Sequence, residues 1–217
     1  MESEGELLRA SRRRFDYERR LLPNPHIETL EAGGLKAAGC TIGYPAWNLL
    51  YYSLYCSVGP DLSDPVVIET GTNLGASTIV MAQALKDVGV DGVVRTVEVK
   101  PDLAEIAKAN VADSGLSDYV EFHVGEAVGF LGNLVQEVPH VDFVFIDDLH
   151  THRRVVKELT ILHPKLLVRR GKAYFDNTLH PGVASGLRQI RRELGGSLIE
   201  FENCSQSPPG NAIWQPD

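Results

Sequence analysis

Residues 66–77 read VVIETGTNLGAS, and the stretch changes character twice. Val66 to Glu69 is a short apolar run ending in an acid, the pattern of a buried strand. Gly71 and Gly75 bracket a turn, the first permitting a tight reversal and the second a close approach of backbone to a ligand. From Ser77 to Val88 the residues Ile79, Val80, Ala84 and Leu85 recur at helical spacing. A strand, a glycine turn and a helix start together make a ligand site, because the free amides of a first helical turn attract a carboxylate and Ser77 adds a hydroxyl there.

The same alternation continues outward from this unit. Strands are expected over Val93–Val97, Tyr119–Val124, Val141–Ile146, Gly171–Phe175 and Leu198–Phe201, with a hairpin strand over Gly210–Trp214. Helices are expected between them: one opened by Pro101, in which Leu103, Ile106, Ala107 and Val111 recur at helical spacing, then Ala127–Val135, a helix through Val155, Leu159 and Leu162, and Ala184–Leu194. Such alternation predicts an α/β fold, a doubly wound, mostly parallel sheet of seven strands with helices on both faces.

The first 60 residues read differently. Glu4–Leu22 is charged and helical in pattern, Pro23 and Pro25 end it, and AWNLLYYSLY, from Ala46 to Tyr55, reads as a short helix. Residues 1–60 are therefore expected to form a helical segment covering the substrate or joining subunits of a homodimer, with residues 61–217 as the ligand-binding domain. Tyr44, Trp47, Tyr51 and Tyr52 are candidates for an aromatic lid, with ordinary packing as the competing reading.

Composition narrows the function further. With 217 residues, 43% of them apolar, the chain can bury one substantial core, and its net charge of -8 argues against a general affinity for nucleic acid. Cys40, Cys56 and Cys204 are odd in number and form no CxxC pair, which suits a reduced cytoplasm. No apolar run is long enough to span a bilayer. A small-molecule substrate is the expectation.

In open parallel sheets, ligands lie beyond the carboxyl ends of the strands. After the second strand stands Glu98, at the distance where an acid grips ribose hydroxyls. A nicotinamide dinucleotide site would want GxGxxG, yet the turn here is GTNLG, with Thr72 and Asn73 at its centre. Glu69 just ahead of the turn disfavours a diphosphate and suits a cationic cofactor.

The order ETGTNLGAS, TVEVKP, VGEA, FIDDLH and FDNT resembles the class I methyltransferases that use S-adenosylmethionine (SAM), from about Pro65 onward. Within them it is most similar to small-molecule O-methyltransferases: the catechol and caffeoyl-CoA type, and the bacterial natural-product type of secondary metabolism that includes relatives of macrocin O-methyltransferase. The resemblance implies a Rossmann-like fold. It implies that Glu69, Gly71, Thr72, Asn73 and Gly75 line the methionine end of SAM, that Ser77 meets its carboxylate, and that Glu98 holds the ribose. Gly125, Glu126 and Ala127 follow the third strand, where such enzymes contact adenine, although Glu126 is larger than the residues usual there.

Asp147 ends the fourth strand and Asp176-Asn177 the fifth, a hard-oxygen set suited to magnesium or a similar divalent ion. These positions match the metal triad of the catechol-type enzymes, and Asp147 also borders the cofactor. His150, three residues after Asp147, is the candidate base, while Asp148 is read as the N-cap of the next helix. His180 is close enough in sequence to reach the site, and His152 and Arg153 are read as facing the substrate. Two other classes compete with methyl transfer from SAM to a hydroxyl of a phenol or sugar: a nicotinamide-dependent oxidoreductase, and a non-catalytic partner protein built on the same fold.

Overall fold

The computed structural model describes residue 42, residues 46–201 and residues 210–217. The elements run α1 (Ala46–Ser57), β1 (Val66–Thr70), α2 (Ala76–Val88), β2 (Val93–Glu98), α3 (Pro101–Asp113), β3 (Val120–Val124), α4 (Ala127–Glu137), β4 (Phe143–Ile146), α5 (His152–Arg169), β5 (Lys172–Asp176), α6 (Pro181–Leu194), β6 (Ser197–Phe201) and β7 (Asn211–Gln215). One turn of 3-10 helix, Ser117–Tyr119, precedes β3.

Seven strands form one sheet in the order β3-β2-β1-β4-β5-β7-β6. The first five pair in parallel, and β7 enters antiparallel between β5 and β6. Strand order reverses between β1 and β4, so the chain folds to one side through β2 and β3 and then returns to the other. The crevice at that reversal, above the carboxyl ends, is where such sheets bind ligands.

Period-two alternation splits the strands between two cores. Val67, Val94, Phe143, Phe145 and Tyr174 join α1, α2 and Val111 of α3 on one face. Val66, Ile68, Val144, Ile146, Ala173 and Phe175 meet α4, α5 and α6 on the other. In α5 the buried residues Val155, Leu159, Leu162 and Leu166 follow a spacing of four, three and four, one stripe of a helix. Fully burying each such side chain contributes about 2 kcal/mol.

Several expectations need correction. Val141 and Asp142 lead into β4 without belonging to it, and residue 119 belongs to the turn before β3. Ile106 is 46% exposed, because α3 turns Ala104, Ala107 and Val111 inward and only those are buried. Trp47 and Tyr51 are packed in the core under α1, with Tyr51 donating to Asp87 Oδ2 at 2.6 Å, so for these two the packing reading holds and the lid reading does not. The expected helix over Glu4–Leu22, together with Tyr44, Cys40 and Cys204, lies outside the described residues. Among the described residues no helix is long and apolar enough to cross a membrane.

Candidate active site

The turn after β1 is held down by its own acid. Glu69 is fully buried and accepts three hydroxyls, Ser77 at Oε1 (2.5 Å) and Thr78 and Thr96 at Oε2 (2.5 and 2.6 Å). Thr72 and Thr96 share a further hydroxyl contact of 2.5 Å. Burial outweighs these donors and lifts the Glu69 carboxyl from 4.5 to about 7. Glu69 thus lies beneath the turn, and the Ser77 hydroxyl is directed inward to it.

The turn itself is forced to be glycine at two points. Gly71 has φ +90°, and a Cβ there would lie 2.2 Å from the carbonyl oxygen of Asp147. Gly75, at φ +86°, caps α2 without a side chain, so no side-chain acceptor competes for the amides of the first helical turn. Gly71 and Thr72 donate to the Val97 carbonyl at 3.1 and 3.3 Å, which folds the turn over the end of β2.

Glu98 stands at that end. Its Oε2 accepts the Asn73 amide (2.8 Å) and its Oε1 the Lys100 amide (3.0 Å), so both oxygens are oriented by backbone and each retains acceptor capacity for a hydroxyl. Gly125 donates to the Glu98 carbonyl (2.9 Å), which sets the loop before α4 against the same edge. Glu126 is the N-cap of α4, accepting from the Val128 and Gly129 amides, and pairs with Arg154; both contacts hold its carboxyl below the usual range. Ala127 is buried at the start of α4.

The acid rim follows one strand further on. The Asp147 amide donates to the Thr70 carbonyl (3.1 Å), and Asp147 Oδ1 meets His150 Nε2 at 3.1 Å. Asp176, at the end of β5, is buried and is pushed up to about 7 by desolvation and then by the charge of Asp147. Asp147 is raised as well, chiefly by burial, although His150 opposes this. His150 is raised, first by its bond to Asp147 and then, against desolvation, by the surrounding carboxylates. Asn177 is buried with φ +54°, a left-handed turn that asparagine tolerates.

Sequence reasoning missed Asn211. It opens β7 directly opposite Asp176, and its Nδ2 donates to Asp176 Oδ1 at 2.6 Å. Its Oδ1 is buried and meets no donor. The only signal was an asparagine at the start of a hairpin strand whose register the sequence does not state.

His180 does reach the rim: its ring lies 5.7 Å from that of His150, and its Nδ1 accepts the Gly182 amide at 3.2 Å. His152 does not face this space. It is turned onto α6, meeting Ser185 at 2.9 Å and Gln189 at 2.5 Å. The cap of α5 is Thr151, which accepts the Arg154 amide, so Asp148 is not the cap. Asp148 instead lies 3.3 Å from Arg154 Nε.

Among the described residues no group of three or more His, Cys, Asp or Glu side chains gathers at metal-binding distance. The rim offers two carboxylates and an amide instead. Two acids raised by burial, Asp147 and Asp176, with the side-chain amide of Asn177 next in the chain, are hard oxygen donors of the kind a hydrated divalent cation takes, and the buried Asn211 Oδ1 beside Asp176 lacks a donor. The open first turn of α2 and the two oriented oxygens of Glu98 likewise fit a carboxylate at one end and a ribose at the other.

Residues 68–178 match the model of a family described as a methyltransferase domain. The chain is 31% identical over 140 residues to a catechol O-methyltransferase of Niastella koreensis, covering 60% of this chain and 62% of that protein. It is 28% identical over 150 residues to catechol O-methyltransferase B of Danio rerio, covering 68% and 55%. The chain thus spans less than two thirds of the length of either relative. An O-methyltransferase from Bacillus cereus, solved in complex with SAH, superposes with a TM-score of 0.71 at 20% identity, over 89% of this chain and 91% of that one. That likeness carries the fold.

Proposed function

The chain belongs to the methyltransferase-domain family, and on that premise we propose that it transfers a methyl group from SAM to a hydroxyl of a small molecule, with a divalent ion held by Asp147, Asp176 and Asn177. One observation carries the reading. The glycine turn and the acid rim are in backbone contact, through the Asp147 amide on Thr70 and the close approach of Gly71 to the Asp147 carbonyl. Cofactor and acceptor halves therefore share an edge of the sheet.

When bound, SAM supplies an electrophilic methyl on a sulfonium, and a magnesium-like ion lowers the pKa of a coordinated hydroxyl. The protein's residues do the positioning. Glu98 accepts the ribose hydroxyls, and the first turn of α2 receives the cofactor carboxylate. The Asp147 carboxylate orients the His150 ring by holding Nε2, leaving Nδ1 to take the proton of the acceptor hydroxyl. Asn211 fixes one oxygen of Asp176.

Leu149 and Leu179 are 54% and 49% exposed beside His150 and His180. Apolar side chains this near the acid rim in the chain would suit the flat body of a phenol better than a sugar. The catechol O-methyltransferases among the relatives point the same way.

Calorimetry with SAH tests the cofactor half: binding is expected, and its absence would favour a non-catalytic partner protein. Methylation of a simple catechol acid such as 3,4-dihydroxybenzoate, assayed with and without EDTA, tests the other half. Activity lost in EDTA and restored by magnesium is expected; full activity in EDTA removes the ion from the mechanism.

A further inference from the structure

Arg154 stands in the first turn of α5, and three carboxylates converge on it. Its guanidinium pairs with Glu126, lies 3.3 Å from Asp148 Oδ2 and 3.8 Å from Glu158 Oε1, and its side chain is only 15% exposed. Each partner is anchored elsewhere. Glu126 caps α4 directly after β3, and Asp148 adjoins Asp147 after β4. Glu158 is fully buried and accepts the hydroxyl of Thr70, the last residue of β1, at 3.0 Å. One guanidinium thus ties together the carboxyl ends of three strands.

Three atoms of the cluster, Asp148 Oδ1, Glu158 Oε1 and Arg154 Nη1, are buried without a hydrogen-bond partner. Burial pushes the Glu158 carboxyl well above its ordinary range. An isolated exposed ion pair contributes little, but here the cation is largely desolvated and removing it strands a buried carboxylate.

We infer that Arg154 is a positioning residue: its guanidinium fixes the spacing between the loop Gly125–Ala127 and the loop Asp147–His150, and with it the affinity of the site for the adenosyl part of the cofactor. Glu126 is the handle by which α4 is held, which accounts for an acid where smaller residues are usual. This rests on the reading that the site binds SAM.

Calorimetric titration of SAH into the wild type, R154K, R154Q, E126Q and E126Q/R154Q, with thermal denaturation alongside, tests it. R154Q is expected to weaken SAH about tenfold and E126Q about threefold, with the double variant no weaker than R154Q, the mark of residues acting through one contact. R154K should fall between, because an ammonium does not bridge three carboxylates at once. A purely structural role would lower the melting temperature and leave the SAH affinity of the folded variants unchanged. Should R154Q fail to fold, R154K and E126Q carry the test. Wild-type SAH affinity in both of those overturns the inference alone, whereas a wild type that does not bind SAH overturns the cofactor reading and the inference with it.

Discussion

Replacing Glu69 by glutamine should flatten part of the dependence of stability on pH. The carboxyl is raised from 4.5 to about 7 by burial, against three hydroxyl donors, so the native state favours its protonated form. A group raised in this way lends stability that is fully present below about pH 4.5 and is lost as pH rises through about 7. A gap of about 2.5 pH units corresponds to about 3 kcal/mol across that window. Glutamine keeps the shape and cannot ionise. Its amide oxygen can take the place of Oε2, which receives Thr78 and Thr96, while its amide nitrogen donates to a rotated Ser77 hydroxyl. Urea unfolding of both proteins at pH 5, 6, 7 and 8 measures the difference. The wild type should lose about 2.5 kcal/mol more than E69Q between pH 5 and pH 8, which spans most of that window. Asp176 remains raised in both and cancels in the comparison. Parallel stability curves would refute the reasoning. E69A should be weaker at every pH, because it leaves three buried hydroxyls without their acceptor.

The remaining expectations concern neighbouring groups. G71A should cost about 3 kcal/mol or more and abolish SAH binding, since its Cβ would lie 2.2 Å from the Asp147 oxygen at φ +90°; normal stability by denaturant titration would contradict this. E158A should cost about 3–5 kcal/mol by stranding Asp148 and Thr70, whereas E158Q, able to donate to one and accept from the other, should stay within about 1 kcal/mol. Equal losses in these two variants would refute the expectation. Manganese binding, followed by calorimetry in the presence of SAH, should weaken at least about tenfold in D147A and in D176A. Unchanged affinity in either removes that residue from the ligand set.

The fold was legible because its central strands β1, β4 and β5 are buried on both faces and read as short apolar runs between turn signals. The region of the site was legible for the same reason: once the sheet is parallel, the residues after β1, β2, β4 and β5 share one edge. What each side chain does there was less accessible. Glu69 resembled a ligand-facing acid in sequence, but its partners Thr78 and Thr96 are brought by α2 and β2, and together they draw it under the turn. Asp148 looked like a cap because it precedes the helix, yet α5 begins only at His152 and Thr151 takes that place. Arg154 and Glu158 carried no local signal at all, since their meaning depends on Glu126 and Thr70, brought together by packing. In α3 the aliphatic positions fit more than one helical stripe, so spacing alone does not say that Ala104, Ala107 and Val111 face inward and Ile106 outward.

The insertion of β7 between β5 and β6 has a kinetic side. Until residues 211–215 dock, β5 is a bare edge offering its amides and carbonyls to any other strand, and Asp176 lacks the asparagine that orients it. Completing the sheet and completing the acid rim are then the same event. A chain with that edge open would be prone to aggregation and would also leave its carboxylates unarranged, so one docking step protects the sheet and orders the rim.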